Sequence, residues 1–171
     1  MCNFLSALVL RNGDVLTHPM LDSHSDLIAH FELRDDSPYI ERFERFAKVE
    51  LAPGSGGDWL DPETWEWAVD EPTRPEWLED DIENRARKTL IHRAKGMIVT
   101  TGTKELIADG CWILGGDATV QRMLGGRVMR MYDNSSVGKL YGNSSVGELY
   151  GNSSVGELYG NSSVGVDARQ A

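Results

Sequence analysis

The sequence predicts an α+β N-terminal domain, an antiparallel sheet with two helices, followed by a C-terminal β-solenoid of nine-residue repeats wound at about 18 residues per coil. Three observations predict this. A nine-residue phrase, Tyr132-Asp-Asn-Ser-Ser-Val-Gly-Lys-Leu140, recurs in near-copies opening at Tyr141, Tyr150 and Tyr159. A unit this short can bury its apolar side chains only by stacking on its neighbours. Upstream, Gly116 to Leu124 and Gly125 to Met131 are worn copies, and Val120 and Val128 extend the ladder of Val137, Val146, Val155 and Val164.

The second observation sets the coil length. Two residues after successive valines stand Arg122, Arg130, Lys139, Glu148 and Glu157. A one-repeat coil would lay Arg130 on Lys139 and Glu148 on Glu157 at the strand spacing of about 4.8 Å, an unfavourable opposition. A two-repeat, two-sided coil pairs Arg130 with Glu148 and Lys139 with Glu157, and gives roughly three coils between Gly116 and Val166. Val and Leu three positions apart must both point inward, so the strand bends after the valine, where Gly138, Gly147, Gly156 and Gly165 allow it. The Asn and Ser rows read as turn-satisfying groups. The aspartate that calcium-binding nonapeptide rolls repeat does not recur here, so calcium is not expected.

The third observation is the mixture of periods upstream. Phe4 to Leu10 and Val15 to His18 flank Arg11-Asn12-Gly13-Asp14, a hairpin signal in which Asn-Gly suits a type I′ turn. Ser23 or Ser25 caps a helix marked by Leu27, Ile28, Phe31 and Leu33, which Asp35-Asp36-Ser37-Pro38 ends. Phe46 to Ala52 alternates as a half-buried strand. Pro53 to Gly57 is a loop, and Trp65, Trp67 and Val69 share one face of a second strand. Pro75 opens a helix with acidic residues at its start and Leu78, Ile82, Ala86, Leu90 and Ala94 as its stripe, running to Lys95 and stopped by Gly96. Short strands at Met97–Thr100, Glu105–Ala108 and Cys111–Leu114 lead into the repeats and pair with or cover the first coil. The domains are thus residues 1–110, the head, and 111–171, the solenoid.

The chain has 171 residues and a net charge of −10. The whole excess lies between Glu50 and Arg85, where acidic side chains face only Arg74 and Arg85. That segment repels phosphate, so direct nucleic-acid binding there is excluded and a protein partner is the natural converse. Cys2 and Cys111 are too few for a disulfide framework. No signal peptide or membrane-length apolar run is present, which places the protein in a reducing cytoplasm.

Cys2-Asn-Phe-Leu-Ser-Ala-Leu-Val9, Asp22-Ser-His-Ser-Asp-Leu-Ile28, Val69-Asp-Glu-Pro-Thr-Arg-Pro-Glu-Trp77 and Gly110-Cys-Trp-Ile-Leu-Gly-Gly-Asp117 lie along nearly the whole chain. With the short repeats that follow, they resemble an uncharacterised family of phage and bacterial proteins. The resemblance implies a small accessory protein of phages or mobile elements, located in the host cytoplasm, and brings no established activity.

Among groups that could carry chemistry, Cys2 with Asp22 and His24 would suit a hydrolase: a thiolate needs a base, and an aspartate can orient it. Removal of Met1 would give Cys2 its own α-amino group. Against this, a strand cysteine is commonly core. A metal site from His18, His24 and His30 with Asp22 or Asp26 is disfavoured, because His24 and His30 stand six apart on a helix. No metal or cofactor is expected, and no phosphate-loop or dinucleotide motif is present. The leading expectation is therefore a non-enzymatic, self-associating binding protein that blocks a host component, a counter-defence inhibitor. Its surface is read as Trp59, Trp65, Trp67, Asp70, Glu71, Trp77, Asp80 and Asp81, with Asp22 and His24. A nucleotide signal held by the tryptophans with Arg11 and Arg74 is the alternative within the binding class.

Overall fold

A computed structural model of the chain describes residues 5–33 and 45–169. It divides into two compact units, Met1–Lys95 and Gly96–Ala171. The first is built on a four-stranded antiparallel sheet of order β2-β1-β3-β4: β1 is Leu5–Leu10, β2 Val15–Leu16, β3 Phe46–Ala52 and β4 Glu66–Val69. The β1–β2 hairpin departs from the expected turn. Only Gly13 has positive φ (+88°), and Gly13 N–H donates to Leu10 O while Leu10 N–H donates to Asp14 O. Asn12 instead spends its side chain on the turn, its Oδ1 accepting from Asp14 N–H at 3.0 Å. An Asx turn thereby replaces the left-handed asparagine.

Helix α1 spans His24–His30 and is capped by Ser23, whose hydroxyl accepts from Asp26 N–H. It ends before the acidic run expected to stop it, because Glu32 takes φ +53° and Leu33 N–H closes on Ile28 O at 2.9 Å. Residues Asp35 to Pro38 lie outside the described residues. One sheet face carries Leu8, Phe46 and, from α1, Leu27 and Ile28 as a common core. Helix α2 spans Asp80–Met97 rather than starting at Pro75. Pro75 makes its own turn, with Leu78 N–H on Pro75 O, and Arg74 locks it by donating to Leu78 O at 2.8 Å and pairing with Glu83 at 2.6 Å. Nor does Gly96 stop α2, which runs on to Met97 and passes directly into the next strand.

The second unit is a two-sided parallel solenoid of about four coils. One sheet has the order β12-β10-β8-β6 and the other β13-β11-β9-β7-β5. The strands are β5 Ile98–Val99, β6 Thr103–Ile107, β7 Cys111–Leu114, β8 Thr119–Met123 and β9 Arg127–Met131, then β10 Ser136–Leu140, β11 Ser145–Leu149, β12 Ser154–Leu158 and β13 Ser163–Asp167. In the clean repeats Ser136 faces Ser154 and Ser145 faces Ser163, eighteen residues on. In the worn ones Thr119 faces Ser136 after seventeen and Thr103 faces Thr119 after sixteen. The three strands read as the end of the head are already solenoid, with β7 stacked on β5, so the stack begins earlier than Gly116. Lys104 and Trp112 stand in register with Val120 and Val128 there, the Lys104 ammonium 5.1 Å from the Trp112 ring centroid.

The interior is a continuous core that includes Ile107, Leu114, Val120, Met123, Val128, Met131, Val137, Leu140, Val146 and Leu149. Both members of the Val137/Leu140 and Val146/Leu149 pairs point into it. Tyrosines at the corners stack, Tyr132 on Tyr150 at 5.2 Å and Tyr141 on Tyr159 at 4.8 Å. Ser135 and Ser144, fully buried, donate to Tyr132 O and Tyr141 O at 2.7 Å. Asn152 Nδ2 donates to Asn134 Oδ1 at 3.2 Å. Ser135, Ser144 and the Asn134/Asn152 pair thus satisfy turn groups and one another, whereas the buried Ser153 hydroxyl has no hydrogen-bond partner among the described residues.

Candidate functional site

The charge ladder has the expected register. Arg130 lies over Glu148 at 3.0 Å and Lys139 over Glu157 at 3.4 Å, each pair on adjacent strands of one sheet. Burial works against the Arg130 cation, yet contacts with Tyr132 and Glu148 outweigh it and raise its pKa. The Tyr159 hydroxyl and Lys139 hold the Glu157 carboxyl below its usual range. One like-charge step remains, Arg122 beneath Lys139. Glu148→Lys would put a second cation over Arg130 and is expected to cost about 1 kcal/mol. The swap Arg130→Glu with Glu148→Arg should restore most of that loss in urea unfolding. If the single and double variants unfold alike, the ladder does not set the register.

The solenoid offers two surfaces. A shallow trough of about 730 Å³ runs over the β8, β10 and β12 face, lined by Gln121, Arg122, Gly138, Lys139, Gly156 and Glu157 among others. Among the described residues, β12 and β13 each pair with one strand, β10 and β11. Their outer sides differ. Asp167 stands in register with Leu149, its carboxyl pulled down to about 2 by hydrogen bonds from Arg169, and Arg169 also donates to Ser153 O at 3.2 Å. A charge clasped at the inward position blunts β13. Beside β12, Leu158 is 47% and Tyr159 42% exposed.

In the head, the residues singled out from the sequence separate. Cys2 lies outside the described residues. Asp22 is exposed, and its main-chain oxygen accepts from Ser6 Oγ at 2.7 Å. His24 is 4% exposed and finds a different carboxylate: its Nδ1 is 3.1 Å from Asp70 Oδ2, and its Nε2 is 3.0 Å from Val49 O. His18 and His30, set aside as ligands with His24, contact each other instead, with ring centroids 4.6 Å apart. Trp65 is buried core, its Nε1 donating to Asp58 O at 2.8 Å with Trp59 edge-on at 6.3 Å. Trp67 and Trp77 are half-buried, Glu71 accepts from Lys48 N–H, and Asp80 pairs with Arg74 at 3.5 Å. Asp81 is exposed. Arg74 is thus engaged by Leu78, Glu83 and Asp80. Arg11 uses its backbone N–H on Arg45 O.

The residue missed in the sequence is Glu50, 6% exposed, whose carboxylate joins those of Asp70 and the His24 imidazole within 4.8 Å. Its signal was a carboxylate on the face of β3 shared with Phe46, which α1 covers. Glu50 also lines a cavity of about 260 Å³ with Ala52, Glu66, Trp67 and Ala68. Three donors of these types can hold a metal ion. No protein-family model, curated protein or solved structure matches the chain. Among the described residues no helix is long and apolar enough to cross a membrane.

Proposed function

We propose that the chain is a non-enzymatic, self-associating binding protein, an accessory factor of a phage or mobile element that occupies and blocks a protein of the host cytoplasm. The observation that carries the reading is the outer side of β12. A strand edge flanked by Leu158 and Tyr159, both more than two-fifths exposed, is a template for pairing, and a second copy presents the same edge. The ladder beneath it supports stiffness, because every coil repeats its contacts to the next. The acidic stretch from Trp59 to Asp81 supports a basic protein surface as the blocked partner.

Sedimentation velocity tests the association directly. The full chain should form a dimer that Leu158→Lys, a charge placed on the edge, converts to monomer without loss of circular dichroism. A wild-type chain that stays monomeric at every concentration overturns self-association. Cross-linking in host lysate, with Asp80→Lys/Asp81→Lys as comparator, tests the blocked partner: a captured protein lost in the variant supports that surface, and identical captures refute it.

A further inference from the structure

We propose that His24, Glu50 and Asp70 bind a divalent first-row transition-metal ion, such as Mn2+ or Zn2+, through one imidazole nitrogen and two carboxylates. The Val49 carbonyl sets the tautomer of His24. Val49 O only accepts, so His24 Nε2, 3.0 Å away, carries the hydrogen that bonds it. In the neutral ring, Nδ1 then presents its lone pair to Asp70 Oδ2 at 3.1 Å, outside hydrogen-bond geometry and with no solvent contact. Two electron-rich atoms at that separation repel, and a shared cation removes the repulsion. The buried Glu50 carboxylate completes a set of donors all within 4.8 Å of one another, and since an ion about 2.0–2.2 Å from each allows at most roughly 4.4 Å between donors, the side chains close inward on binding it.

Two further features fit a metal. An imidazole whose second nitrogen is tied to a backbone carbonyl is the usual outer-shell arrangement that fixes a ligating histidine. Imidazole with carboxylates favours transition ions over Mg2+ and Ca2+, which prefer all-oxygen sets. The cavity beside Glu50 supplies the entry path, and three protein donors leave coordination positions for water or a ligand. The three residues come from α1, β3 and the residue after β4, so the ion would tie the helix to the sheet.

A proton on Nδ1 would relieve the same repulsion, so the test must separate ion from proton. Chelator-treated full chain is titrated calorimetrically with Mn2+ alone, chosen because it ignores thiols. One ion per chain is expected, with a metal-dependent rise in Tm that chelator reverses. Asp70→Asn, on a carboxylate 58% exposed and so tolerant of change, should weaken Mn2+ by more than about 100-fold, the upper range for mere outer-shell partners. Glu50→Gln should act in the same direction and Asp81→Asn should not. Bound Mn2+ should broaden the ring signals of His24. Absence of stoichiometric Mn2+ binding, or affinity unchanged in both Asp70→Asn and Glu50→Gln, overturns the site in favour of the proton.

Discussion

Leu140→Ala is expected to destabilise the solenoid by about 2–5 kcal/mol, the range for large-to-small changes in a closed core. Leu140 has no exposure and sits between Met123 below and Leu158 above, so the cavity left behind has walls on both sides. The loss is local in origin but not in effect. Each coil touches only its neighbours, so weakening the middle separates what lies beyond from what lies before. Hydrogen exchange should therefore quicken in β12 and β13 more than in β6 and β7. Leu158→Ala, measured at concentrations where the chain is monomeric, is the control: the same chemistry at a residue 47% exposed should cost under about 1 kcal/mol, because little transfer and no cavity is involved. Equal losses at the two positions would mean that the rod is not a layered core.

The solenoid was legible in the sequence because duplication leaves register information in charge as well as in shape. Valines alone permit any multiple of nine, and the charges count against a single repeat per coil, which would set Arg130 against Lys139; the coil formed is the two-repeat one, with Arg130 opposite Glu148 and Lys139 opposite Glu157. The first coil was not legible for a physical reason of the same kind. Lys104 and Trp112 take the valine positions, the pairing shifts between Trp112 and Ile113, and the coil shortens to sixteen residues, so neither spacing nor residue type repeats. The Thr-Gly and Asp-Gly between these strands mark turns without showing which strand each next one pairs with. A lysine becomes tolerable there because its ammonium lies over the Trp112 ring.

In the head, local signals worked and long-range ones did not. Ser23, one of the two serines read as candidate caps, caps its helix, β1 and β2 formed at the hairpin signal, and β3 and β4 formed where the alternation placed them. The His24 cluster was hidden because its members stand twenty or more residues apart and are gathered by the pairings Ser6 with Glu50 and Glu50 with Ala68. A sequence reading looks for a carboxylate near the histidine and finds Asp22, which the chain turns outward. The aromatic surface failed in part for a related reason: Trp65 belongs to the alternating face that becomes core, and a buried indole with its N–H already bonded offers a ligand nothing.

Gly147→Val is the substitution most directly opposed by the architecture. The repeat glycine was read as a bend residue, yet its decisive property is the absence of a side chain. A Cβ on Gly147 would stand 2.4 Å from the carbonyl oxygen of Met129 in the coil below, backbone that cannot swing aside as a flexible side chain would. Gly165 repeats the contact one coil up, 2.5 Å from Gly147 O, so the inter-coil approach is built on that row. The two coils must separate or tilt, and the expected cost is about 1–3 kcal/mol, as for overpacking elsewhere, with Arg130 and Glu148 pulled apart as a consequence. Gly96→Ala makes the opposite case. Nothing lies within 4 Å of a Cβ there and the residue is helical, so alanine should stabilise by about 0.5–1 kcal/mol. Urea unfolding of the two variants should move in opposite directions; a Gly147→Val chain as stable as wild type would show that the coils do not pack through this row.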